Sequence, residues 1–157
     1  MPLVDLMDET YVVAEPAAVA ARLRDPTVVQ RAWPGLDLVV FMDRGDEGIR
    51  WTVTGDLVGS CEIWLEPFGD GVIVHYFLRA DPTRRGSRTE PVTGSPRRLA
   101  RRAIRIGRDQ ARHWKAFLHA VKDDLEAGRQ PGEAARTDDR SGESSGSVTP
   151  NGSSPPY

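Results

Sequence analysis

The chain has 157 residues, with 21 Lys and Arg against 23 Asp and Glu, a net charge of −2 and one cysteine. That length fits one domain, and the ~125 residues ahead of a polar C-terminal stretch bury roughly 65% of their unfolded surface, enough for a core without staples. The lone Cys61 excludes an internal disulfide and a cysteine metal cluster, and no apolar run reaches the ~18 residues that a membrane span needs; Met1-Pro2-Leu3-Val4-Asp5 lacks the basic and apolar regions of a signal peptide, so a cytoplasmic protein is expected.

The first strand is predicted over Asp8 to Ala14, centred on Tyr11, Val12 and Val13. Glu15-Pro16 opens a helix, because proline is favoured at the first helical position, and Val19, Ala20 and Leu23 give it an apolar stripe. Asp25-Pro26 stops that helix and starts a short second one, Thr27 to Ala32, followed by a turn at Trp33-Pro34-Gly35. A second strand, Leu38 to Met42, ends in the turn Arg44 to Gly48. From Ile49 onward apolar residues alternate with polar ones, the period of antiparallel strands with one buried face. Gly55 and Gly59 mark a turn between two of these strands. Phe68-Gly69-Asp70-Gly71 is the clearest hairpin signal. A two-residue Gly69-Asp70 loop pairs Leu65 with Val74, Ile63 with Tyr76 and Cys61 with Leu78 on one face. It pairs Trp64 with His75, Glu62 with Phe77 and Glu66 with Ile73 on the other. A slip by one residue would mix the faces, so the register is fixed.

Thr83 to Ser95 is a polar loop. Ser95-Pro96 then starts a helix running to about Ala127, with Gly128 as its cap. Leu99, Ala103, Ile106, Gln110, Trp114, Phe117, Val121 and Leu125 follow one face of it. Arg98, Arg101, Arg105, Arg108, Arg112 and Lys115 form a second stripe. The charge is uneven: residues 1–83 hold 14 acids and 6 bases, whereas residues 84–115 hold 11 bases and only Glu90 and Asp109 as acids. Residues 129–157 are rich in Ser, Gly, Pro, Asp and Glu and are expected to be a disordered tail, since they bury too little apolar surface to offset ordering entropy.

The order strand, two short helices, antiparallel meander, long C-terminal helix resembles the helix-grip fold of the SRPBCC superfamily (START-like, polyketide cyclase/dehydrase and lipid transport). Glu15-Pro16 with Val19, Asp25-Pro26 through Trp33-Pro34, Gly48-Ile49-Arg50-Trp51 through Gly55, Leu65-Glu66-Pro67 and Asp70-Gly71-Val72 carry the likeness. It implies an α+β domain over residues 1–128, with a curved antiparallel sheet of five or six strands wrapped on the long helix. It also implies an apolar cavity between the two, where members hold lipids, polyketides, sterols or hormones and a few act as cyclases or aromatases. The family has no universal catalytic motif, so no catalytic residue carries over by position.

Trp51, Val53, Cys61, Ile63, Leu65, Val74, Tyr76 and Leu78 on the sheet, with Ile106, Trp114 and Phe117 on the helix, are the candidate ligand-binding residues; the alternative is that they form a filled core. Tyr76 places one hydroxyl among apolar neighbours, and a buried hydroxyl needs a partner. Tyr76 and His75 are weak candidates for proton transfer in a cyclase or dehydrase, though the pairing sends His75 to the outer face beside Trp64. Cys61 reads as a small core residue, Asp8-Glu9 and Asp123-Asp124 as solvated charges, and His113 and His119 do not share a helix face, so no metal site or cofactor is expected. The basic stripe has three readings: a solvated face, attraction to anionic lipid head groups, or nucleic acid, the last disfavoured by the lack of interleaved aromatic residues. The function expected is binding or carrying of a hydrophobic small molecule, with a cyclase/dehydrase or a docking module as alternatives.

Overall fold

A computed structural model describes residues 1–127. The expected disordered tail lies outside the described residues.

Antiparallel pairing organises the chain. Strands β1 (Val4–Val12), β2 (Leu36–Asp43), β3 (Gly48–Gly55), β4 (Leu57–Phe68) and β5 (Gly71–Pro82) make one curved sheet in the order β1-β5-β4-β3-β2. Helices α1 (Pro16–Arg24) and α2 (Pro26–Ala32) follow β1, and α3 (Pro96–Glu126) closes the fold against β1 and β5. At 31 residues α3 is about 46 Å long. The β4–β5 hairpin has the predicted register, with Leu65 opposite Val74, Ile63 opposite Tyr76 and Cys61 opposite Leu78. The Asp25 side chain caps α2 by accepting from the Thr27 backbone N–H (2.9 Å) and hydroxyl (2.7 Å).

The sheet has five strands, one of the two expected counts. Some details depart from the sequence reading. β1 starts at Val4 rather than Asp8, because β5 is long enough to pair back to Ala80 and template the earlier residues. Gly59 lies inside β4 and not in a turn; a Cβ there would sit 2.1 Å from the Arg79 carbonyl oxygen, so close strand approach explains the glycine. Ala127 takes the left-handed conformation at the end of α3, with φ 45°; the expected Gly128 cap lies outside the described residues.

The core lies between the concave face and the helices. Trp33, Trp114, Tyr76, Leu57, Ile63 and Leu78 are fully buried, and the aliphatic ones each contribute roughly 1.5–3 kcal/mol in removal of apolar surface from water. The α3 face is turned slightly from the predicted one: Gly107 and Leu118 are buried, whereas Ile106, Phe117 and Leu125 sit half-buried at its margin.

Candidate functional site

Alternation puts Trp51, Val53, Cys61, Ile63, Leu65, Val74, Tyr76 and Leu78 on the concave face, and the structure brings all eight into one buried cluster with Trp114 of α3; Ile106 and Phe117 pack at its edge. At its centre Tyr76 stacks on Trp114 with ring centroids 4.2 Å apart. Trp33 stacks on Trp114 at 5.8 Å and lies 5.4 Å from Trp51. The Trp33 indole N–H donates to the Tyr76 hydroxyl oxygen (3.3 Å), which gives that hydroxyl the partner its burial requires. The Trp114 indole N–H donates to Asp8 (3.0 Å), and Lys115 pairs with the same carboxylate at 2.5 Å. Asp8 is therefore not a solvated charge: alternation along β1 turns it inward, toward α3.

Trp33 is the residue that reading in chain order misses, because it falls in a turn. The signal present is the spacing Val29, Ala32, Trp33, which extends the apolar face of α2 through its last turn.

The chemistry of the interior is muted. Burial pushes the Tyr76 phenol far above its usual range, reinforced by Cys61 and opposed by the Trp33 bond. Burial, then the neighbouring Glu62 charge, likewise keeps the Cys61 sulfur a thiol. Neither is placed to move a proton near neutral pH. His75 projects from the opposite face, as expected for the residue next to Tyr76 on a strand. Its Nδ1 lies 3.1 Å from Glu9 and its Nε2 2.7 Å from Glu66, while its ring stacks on Trp64 at 4.7 Å. These contacts leave it only 8% exposed. His75 and Tyr76 thus share no site. Gln110, on the sheet-facing side of α3, carries the one buried side-chain oxygen without a hydrogen-bond partner among the described residues.

Beside the aromatic cluster a bay of about 360 Å³ opens between α1, α2 and the β2–β3 edge. Leu23, Pro26 and Val29 form its helical wall; Leu36, Leu38, Val40, Ile49 and Trp51 form its strand wall. Trp51 is shared with the cluster. At the rim Arg24 donates to Asp43 (2.6 Å) and to the Gly45 carbonyl (2.7 Å). The Arg24 bond, then the Gly45 N–H, holds the Asp43 carboxyl below its usual range. Leu36, Leu38 and Val40 alternate with Asp37 and Val39, but the unbroken apolar run Leu38 to Met42 obscures that signal in the sequence. A second groove, about 570 Å³, runs between α2 and α3 past Val28, Phe117 and Val121.

The basic stripe is exposed along α3, but not uniformly free. Lys115 is held by Asp8 and Arg112 by Asp109 at 3.1 Å. Arg98, Arg101, Arg105 and Arg108 make no ion pair among the described residues. No helix among these residues is long and apolar enough to cross a membrane.

No family model and no curated protein matches the chain. Solved structures do. The Aha1 dimer of Colwellia psychrerythraea matches with a TM-score of 0.52 at 14% identity, over 81% of this chain and 99% of that one. A protein from Deinococcus radiodurans matches with a TM-score of 0.54 at 12% identity, over 80% and 99%. A polyketide-cyclase-like protein from Corynebacterium glutamicum matches with a TM-score of 0.50 at 13% identity, over 83% and 98%. Sheet order, the placement of the two short helices and the long closing helix together give this chain a helix-grip fold, shared with these structures.

Proposed function

We propose that the protein binds an apolar small molecule, lipid- or polyketide-like, seated in the bay between α1, α2 and the β2–β3 edge and reaching toward the sheet–helix interface past Trp51. The observation that carries this reading is the bay itself: about 360 Å³, walled by aliphatic side chains and one indole, with a few polar groups at its rim. Small-molecule sites have this size and make-up. The ligand class follows the resemblance of the sequence to SRPBCC proteins. The Arg24–Asp43 pair at the rim suits a polar head left near solvent.

A non-catalytic binder fits better than a cyclase or dehydrase. The two proton-transfer candidates face opposite sides of the sheet, and the Tyr76 phenol stays protonated.

A solvatochromic dye such as an apolar naphthalene probe is the test. The protein is predicted to bind it with micromolar affinity, about 8 kcal/mol. Leu38→Trp, which fills the bay from a half-buried position, should abolish the signal and leave the melting temperature in place. Ile63→Trp overpacks the closed interior and should destabilise by ~1–3 kcal/mol. Absence of dye uptake by the wild type, or uptake that survives Leu38→Trp, refutes the bay as the site.

A further inference from the structure

The first half of α3 carries a charge pattern that its own fold does not explain. Between Pro96 and Arg108 there are six arginines and no acid. One of them, Arg102, donates to the Thr83 carbonyl at 3.0 Å. The other five, Arg97, Arg98, Arg101, Arg105 and Arg108, are exposed and make no hydrogen bond or ion pair among the described residues. Positions three and four apart on a helix are neighbours, so Arg97, Arg101, Arg105 and Arg108 repel one another. Arg97 and Arg98 also sit in the first turn, at the positive end of the helix dipole, where cations are disfavoured. The arrangement therefore opposes helix stability and is offset when anions lie along it.

An aliphatic side chain distinguishes which anions: Ile104 is 56% exposed within the arginine stripe. Gly107 lies against Val4 and Leu6, so the start of β1 runs beside the same stretch of α3. Phosphates supply the counter-charge on a lipid surface and on a nucleic acid alike, but a lipid surface takes up an exposed aliphatic group directly, whereas a duplex does so at a thymine methyl or by unstacking a base step. The stripe has no aromatic ring on which a base can stack and no amide to read a base edge.

We infer that the outer face of α3, from Arg97 to Arg108 with Ile104 at its centre, docks the protein onto anionic phospholipid surfaces. This inference stands on the helix alone and does not depend on the bay holding a ligand. Five cations spread over about 17 Å of helix meet several head groups at once, and the attraction weakens as added salt shortens the Debye length.

Cosedimentation of the full chain with vesicles tests it. Vesicles of phosphatidylcholine with phosphatidylserine should retain the protein at low salt and release it at high salt; vesicles of phosphatidylcholine alone should not retain it. Replacing Arg101, Arg105 and Arg108 together by Gln should lower partitioning on the order of 100-fold, and Ile104→Ser should lower it several-fold. The triple variant should melt no lower than the wild type, because like-charge repulsion is relieved. Equal retention by neutral vesicles, or none by anionic ones, overturns the inference. So does a duplex DNA that binds more tightly than the vesicles with the same arginine dependence and no effect of Ile104→Ser, which would make the partner a nucleic acid. A marked loss of melting temperature in the triple variant would show that the arginines serve the fold.

Discussion

Asp8 shows how one inward-facing carboxylate is made tolerable. Partial burial raises its pKa, but bonds from Lys115, Trp114 and Thr10, with the Lys115 charge, more than compensate, and the net value falls below the ordinary one. A folded pKa below the unfolded one means a contribution fully present above about pH 3.9 and lost as pH falls through the folded value. Asp8→Asn is predicted to cost about 1 kcal/mol at neutral pH, read from urea midpoints. The difference between variant and wild type should close as both are taken below pH ~3.9. A gap that persists unchanged in acid would mean the carboxylate matters for its shape and not its charge.

At the level of elements, α3 both closes the core and presents the basic face, and the two demands meet at Gly107. It is a helix-interior glycine, buried against β1. A Cβ built there meets Leu6 and Val4 at 3.8 and 3.9 Å, which is ordinary van der Waals contact. The glycine therefore weakens the helix without a steric need for it. Gly107→Ala is predicted to stabilise by ~0.5–1 kcal/mol, the helical cost of glycine relative to alanine, visible as a higher thermal midpoint. Destabilisation would show that α3 and β1 already touch as closely as they can.

For the molecule as a whole, the topology ties the ends of the described chain together. β1 pairs with β5, which ends some 70 residues later, and α3 returns to grip β1 through the Trp114–Asp8 and Lys122–Tyr11 bonds. No element has a core of its own. Trp33, Trp51 and Trp114 share the central cluster, while Trp64 stays 43% exposed on the other face. Tryptophan fluorescence therefore reports the core, and its unfolding transition in urea is predicted to coincide with that seen by far-UV circular dichroism. Two separated transitions would show that α3 or the α1–α2 pair comes away before the sheet melts.

Local chemistry made much of this legible. The Gly69-Asp70 loop and the period-two pattern on either side of it determine the β4–β5 register, because side chains alternate strictly along a strand. Asp25-Pro26 announces both the end of α1 and the cap of α2, since a cap is satisfied within three residues. The basic stripe and the buried face of α3 are likewise readable from helical spacing. What the tertiary structure alone decided depends on partners distant in sequence. Gly59 looks like a turn residue until Ala80 and Arg79 pass beside it. Asp8 looks solvated until α3 brings Trp114 and Lys115 to it. The concave face was readable as buried, but whether it encloses space was not. That depends on Trp33, delivered from a turn more than 40 residues before Tyr76, filling the gap between sheet and helix and leaving the opening at the β2–β3 edge.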